Sequence, residues 1–111
     1  MISNLTPAQQ IADLDAALER RGTAIQLRKT NSAAGQVTVP AKWRGYKPDE
    51  VMGIILAGDT KVILSPTGLE TFGIPPQNGY AVVGGVPRRI IVPTPIYDGG
   101  VLVRIELTVR G

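Results

Sequence analysis

The sequence contains no cysteine and no histidine among its 111 residues. Without cysteine there is no disulfide framework, no thiol nucleophile and no thiolate metal site. Without histidine, the Ser-His and Cys-His pairs of nucleophilic catalysis are excluded, together with nearly every zinc constellation, because the imidazole that takes the proton or binds the metal is missing. Long hydrophobic runs are also lacking: no uncharged apolar stretch approaches the roughly 20 residues of a membrane helix. Met1-Ile2-Ser3-Asn4 has neither the basic region nor the apolar segment of a signal peptide, so a protein with no membrane association is expected. Glycine is plentiful at 13 residues, yet neither G-x-G-x-x-G nor G-x-x-x-x-G-K-[ST] occurs, and a nucleotide phosphate cradle has no support. The carboxylates Asp13, Asp15, Asp49, Glu50, Asp59, Glu70, Asp98 and Glu106 fall into neither a calcium loop nor an acid–base dyad. No catalytic residue, metal ligand or cofactor is assigned, and an enzyme is not expected.

What is present suits one folded domain over residues 1–111. Hydrophobic residues make up 43% and charged residues 19%, enough for a core and too apolar for wholesale disorder. Twelve Lys and Arg against nine Asp and Glu leave a net charge of +3. The basic residues are scattered, which reads as a solvated surface that permits a polyanionic partner without requiring one.

Thr6-Pro7-Ala8-Gln9 is a helix start: a capping hydroxyl, a proline where its missing N–H costs nothing, and a glutamine able to bond back to the cap. The spacing of Ile11, Leu14 and Leu18 predicts an amphipathic helix over 7–21, with Gly22 in the left-handed conformation at its end. From residue 24 the period changes from 3.6 to 2. Ile25 and Leu27, then Val37, Val39, Ala41 and Trp43, mark strands with one buried face, and Pro40 suggests an edge or bulge in the second. Ile54–Ala57 and Thr60–Leu64 suggest a tight hairpin around Gly58-Asp59, and Tyr80–Val83 and Arg88–Val92 another around Gly84-Gly85, ended by Pro93 and Pro95. From Val101 to Val109 the alternation is unbroken: Val101, Val103, Ile105, Leu107 and Val109 face the core, and Leu102, Arg104, Glu106, Thr108 and Arg110 face away. Residues 65–78 carry too many prolines and glycines for a regular element and are expected to form a long functional loop. The fold class is therefore mainly β: a small antiparallel β-barrel or sandwich of six or seven strands over residues 24–110, with one N-terminal α-helix.

Two resemblances bear on function. Gly35-Gln36-Val37-Thr38-Val39-Pro40-Ala41-Lys42-Trp43-Arg44, followed by Gly58-Asp59-Thr60-Lys61-Val62, resembles the swapped-hairpin antitoxin and transition-state-regulator family. That resemblance implies a DNA-binding transcription regulator using Lys42, Arg44 and Lys61, and it leaves residues 66–111 unaccounted for. A second resemblance covers nearly the whole chain. Asp15-Ala16-Ala17-Leu18-Glu19-Arg20-Arg21-Gly22 leads into Ile25-Gln26-Leu27-Arg28-Lys29, and Arg44-Gly45-Tyr46-Lys47-Pro48-Asp49-Glu50 follows. After these come Gly58-Asp59-Thr60-Lys61-Val62-Ile63-Leu64-Ser65-Pro66, then Pro75-Pro76 and the run Leu102–Gly111.

This order is similar to the small head-closure proteins, or head–tail connector stoppers, of long-tailed bacteriophages, prophages and gene-transfer particles. The resemblance implies a structural virion protein that forms a ring with itself, between a portal-adaptor protein on the head side and a tail terminator or tail tube protein on the tail side. Double-stranded DNA would pass through the channel without sequence-specific binding, and the ring would retain it until ejection. Candidate subunit contacts are Arg44, Tyr46 and Lys47 in one connection, Phe72, Pro75 and Pro76 in the long loop, and Arg88, Arg89, Arg104 and Arg110 on strands. Arg104 and Arg110 flank Glu106 on one face, a mixed-sign pattern expected to pair with a neighbouring protein.

Overall fold

The computed structural model describes residues 5–111; Met1 to Asn4, expected above to carry no address, lie outside the described residues. Helix α1 runs Pro7–Arg21, with the expected cap. Thr6 Oγ1 accepts from the Gln9 backbone N–H at 3.2 Å, and Gln9 Oε1 accepts from the Thr6 N–H at 2.9 Å. Two otherwise unpaired donors are thereby satisfied. Leu18 is the fully buried member of the apolar stripe, while Ile11 and Leu14 are half-buried. No helix among the described residues is long and apolar enough to cross a membrane.

Gly22 does not adopt the left-handed conformation expected of it: φ is −85° and ψ 172°, ordinary extended backbone. Crowding is what requires glycine here. A Cβ at this position would lie 2.4 Å from the Leu18 carbonyl oxygen and 3.0 Å from that of Ala41, both backbone atoms. Gly22→Ala is accordingly expected to destabilise by about 1–3 kcal/mol, as overpacking does. An unchanged thermal midpoint would contradict this account.

Six strands follow: β1 Thr23–Arg28, β2 Val37–Gly45, β3 Thr60–Leu64, β4 Tyr80–Val83, β5 Val86–Asp98 and β6 Val101–Arg110. They close into an antiparallel barrel in the order β1-β2-β3-β6-β5-β4, with β4 returning to β1. Inward positions alternate as the period of two requires. Ile25, Leu27, Val39, Ala41, Val62, Leu64, Ala81, Val83, Ile90, Ile105, Leu107 and Val109 form one core cluster, against which Trp43 packs. The register sets Trp43 opposite Val62 and Val62 opposite Leu107, so the second strand and the last share this core.

Five further expectations are corrected. Ile54–Ala57 is not a strand, and no hairpin pairs it with Thr60–Leu64. Both sides of β3 are already taken by β2 and β6, so the segment has nowhere to pair. Instead the Asp59 N–H donates to the Leu56 carbonyl at 3.1 Å, closing a turn in which Gly58 takes φ +92°. Second, β2 is not the edge of an open sheet. β1 pairs with Val37–Ala41 and β3 with Ala41–Gly45, so Pro40 falls where β2 has β1 beside it and β3 has ended. A missing N–H on that side breaks no ladder.

Third, Pro93 and Pro95 do not end β5, which continues to Asp98 and turns at Gly99-Gly100 into β6. β4 accompanies β5 through Arg89, and the rest of β5 is laddered to β6. The prolines sit opposite Leu107 and Ile105 on a stretch whose other side carries no strand, where they are tolerated. Gly99 and Gly100 have φ of +59° and +82°, and Gly84 and Gly85 +61° and +80°, the conformation that primed hairpin turns demand. Fourth, the 65–78 loop, expected to offer Phe72 and Pro75 as contacts, folds them into the barrel instead. Leu69 and Phe72 belong to the core cluster, Pro75 is fully buried, and Gly68 lies against Val39 beside the half of β2 that β3 leaves uncovered. Thr108 differs as well: it sits on the outward phase but is buried, with Tyr46 bonded to it.

Candidate interaction surface

The connection from β2 to β3 leaves the barrel as an apolar loop. A single 3-10 turn at Pro48–Glu50 leads into Val51-Met52-Gly53-Ile54-Ile55-Leu56-Ala57, which bears no charge. Met52 is 68% exposed, Ile54 57% and Leu56 50%. Three large apolar side chains together in water are costly unless something covers them, and a small domain seldom groups them by chance.

The loop is held out by polar clasps at both of its ends. On the β2 side Arg44 meets Glu50 as a fork, Nη1 to Oε1 at 2.8 Å and Nη2 to Oε2 at 2.9 Å. Glu50 Oε1 also accepts from the Lys47 backbone N–H at 2.8 Å. Tyr46 is anchored by its hydroxyl, 2.6 Å from Thr108 Oγ1. On the β3 side Arg110 meets Asp59 in the same way, Nε to Oδ1 and Nη2 to Oδ2, both at 2.8 Å, and Nη2 donates in addition to the Ile54 carbonyl at 2.9 Å. Asp59 Oδ2 accepts from the Leu56 N–H at 2.9 Å, so one buried carboxylate ties the last strand to the loop. Paired forks of this kind fix direction as well as distance.

The charges respond accordingly. The Arg44 guanidinium, helped by the Lys47 N–H, holds the Glu50 carboxyl at about 2, below its ordinary 4.5. The Arg110 guanidinium likewise holds Asp59 below the usual carboxylate range. A carboxyl whose pKa is lower in the folded chain stabilises the fold above its unfolded value and ceases to as pH falls through the folded one. The Glu50 contribution is therefore complete at neutral pH and lost between about 4.5 and about 2. Glu50→Gln should melt below wild type at neutral pH, with the gap narrowing as the pH approaches 2. A gap that is constant across a pH series of thermal melts would refute this.

The candidate contact residues separate into groups. Arg44, Tyr46, Lys47 and Arg110 come together around the apolar loop, with Arg44, Tyr46 and Arg110 engaged inside the chain. Arg104 pairs with Glu106 at 2.9 Å, and Lys61 reaches the same carboxylate at 3.1 Å. The mixed-sign face of β6 thus carries ion pairs within the chain, while the buried Arg104 Nε has no hydrogen-bond partner among the described residues. Phe72 and Pro75 are buried and offer no side chain to a neighbour, while Pro76 is half-buried beside them. Arg88 is half-buried on β5, its Nε without a partner among the described residues, and Arg89 is exposed. Met52, Ile54 and Leu56 do not stand out in the sequence as surface residues, because Ile-Ile-Leu next to a Gly-Asp pair reads as half a hairpin.

Two recesses adjoin these elements. One of about 260 Å³ lies beneath the loop, lined by Tyr46, Glu50, Ile55, Lys61, Glu106 and Thr108 among others. Another of about 550 Å³ separates α1 from the β5–β6 hairpin, its walls half apolar, with Leu5, Leu14, Ile96 and Val103, and half polar, with Asp13, Arg104 and Glu106 among them. No group of three or more acidic side chains arranged to hold a metal ion occurs among the described residues. No protein-family model, no curated protein and no solved structure matches the chain.

Proposed function

We propose that the protein is a structural ring subunit of the connector between the DNA-filled head and the tail of a long-tailed phage or related particle. In this role it closes the head after packaging and retains DNA until ejection. The observation that carries the reading is the rigidly clasped, charge-free loop Val51–Ala57, which presents Met52, Ile54 and Leu56 outside a closed barrel. A loop held in shape before contact loses little entropy on docking. Joined to a different surface of the next copy, such as the recess beside α1 with its apolar Leu5, Leu14, Ile96 and Val103, it makes a heterologous contact, and heterologous contacts whose rotation closes form rings. The order of motifs along the chain supports the same reading. Portal-adaptor and tail proteins are then the neighbours, the virion is the location, and DNA passes without its sequence being read.

The regulator reading is weaker, because two of its three cations are already neutralised: Arg44 by Glu50 and Lys61 by Glu106. The test is to add the purified protein to the portal-adaptor assembly of its own particle and image the product. Addition of one further ring on the adaptor is expected, abolished by Ile54→Asp with Leu56→Asp. Failure to add, with tight binding of one duplex sequence at moderate salt, would replace the connector reading by the regulator one.

A further inference from the structure

The barrel register lines up four side chains that are far apart in the chain. Arg28 on β1 is opposite Tyr80 on β4, Tyr80 is opposite Arg89 on β5, and Arg89 is opposite Arg110 on β6. Their chain neighbours Leu27, Ala81, Ile90 and Val109 are wholly buried, so the row lies on the outer wall. At the usual strand separation it spans roughly 14 Å. Like charges directly across a ladder repel, and nothing among the described residues relieves all of them. Arg110 is neutralised by Asp59; Arg28 reaches the neutral amide Gln36 Oε1 at 2.9 Å, and Arg89 takes part in no ion pair among the described residues. Two uncompensated guanidinium groups therefore flank one phenol.

We infer that Arg28, Tyr80 and Arg89 form a contact line for the sugar–phosphate backbone of double-stranded DNA. The anionic character of the ligand rests on the row itself, and its identity as DNA rests on the connector reading above. A phosphodiester chain repeats its charge along a line, which a row of forked donors matches, and guanidinium binds phosphate oxygens in pairs. Tyr80 is half-buried between its neighbours, so it offers its hydroxyl to a phosphate rather than a free ring face to a base. The outer wall of a barrel is convex and does not enclose a single strand, and backbone contact with a duplex is what it suits. Arg89, taken above as a candidate for subunit contacts, is thereby assigned to DNA.

The experiment is a salt series of duplex binding by fluorescence anisotropy, comparing Arg28→Gln/Arg89→Gln with Arg20→Gln/Arg21→Gln, which removes the same charge from the end of α1. Losing two phosphate contacts should lower the slope of log K against log salt by roughly 2 and weaken low-salt binding by about tenfold or more. The α1 pair should keep the wild-type slope. Arg89→Gln alone, on an exposed side chain, should lower the slope by about 1 and guards against a folding defect in the double variant. Equal losses from both pairs, or an unchanged slope in the first, would overturn the line. So would displacement of the duplex by poly-glutamate as effectively as by unlabelled DNA at equal charge, which would make the row a surface for acidic protein. Ring addition to the adaptor separates the two proposals: a protein that assembles without the slope change keeps the connector reading and loses the line, and the reverse outcome does the opposite.

Discussion

Leu107→Ala is expected to cost about 3–5 kcal/mol, the top of the range for a buried leucine. The side chain has no exposed surface and lies in the middle of the ladder, opposite Val62 on β3 and Pro93 on β5. The barrel cannot collapse onto the void by sliding this strand, because the register of β6 is fixed on both sides, by β3 and by β5. Urea unfolding should show a lower midpoint with the same m-value. Thr38→Ala, on an exposed outward position of β2, is the control. Thr108→Ala would not serve, although its phase is outward: the residue is buried and shares a hydrogen bond with Tyr46. A midpoint shift no larger than that of Thr38→Ala would mean that β6 does not carry the core.

Helix α1, the strands β1, β2 and β6 and the Gly84-Gly85 turn are legible because their signals are local. A cap, an apolar period and a pair of adjacent glycines act within a few residues of one another. What failed were inferences about partners. Alternation says which face of a strand is buried and nothing about which strands stand beside it. Hence Ile54–Ala57 looks like a strand and has no open ladder to join, and Pro93 and Pro95 look like stops although their side of β5 needs no donor. Reading a stop at Pro93 also hid the second hairpin, whose Gly99-Gly100 repeats the signal of Gly84-Gly85. The long loop lacks regular structure as its prolines and glycines require, but these do not exclude burial, and Leu69, Phe72 and Pro75 lie inside.

The candidate surface was half legible on the same grounds. Arg44, Tyr46 and Lys47 stand out in the sequence as contact candidates in one connection, and that connection carries the loop. The exposure of Met52, Ile54 and Leu56 depends on clasps closed by residues elsewhere in the chain, Thr108 and Arg110 on β6. The Arg28–Tyr80–Arg89 row likewise exists only once three strands are in register. Neither had a local signal.

The clasp at Asp59 makes the second large prediction. Its carboxylate is 2% exposed and accepts three hydrogen bonds, two from Arg110 and one from the Leu56 N–H. Asp59→Ala strands the Leu56 donor and leaves Arg110 without its counter-charge, while the partly exposed guanidinium recovers some hydration. A loss of about 2–3 kcal/mol is expected, below the cost of breaking a fully buried pair. The loop should loosen at the same time, because the Ile54 carbonyl depends on the same guanidinium. Limited proteolysis should then cut between Met52 and Ala57 well before the barrel unfolds. The depressed Asp59 pKa adds a signature of its own. Its stabilisation is present above the unfolded carboxyl value and fades as pH falls through the folded one, so Asp59→Ala should show a flatter acid limb than wild type. Arg110→Met combined with Asp59→Ala should cost less than the two single changes added together, since neither charge is then left alone. Strict additivity, or a loop no more easily cut in Asp59→Ala, would show that the loop holds its shape without the clasp.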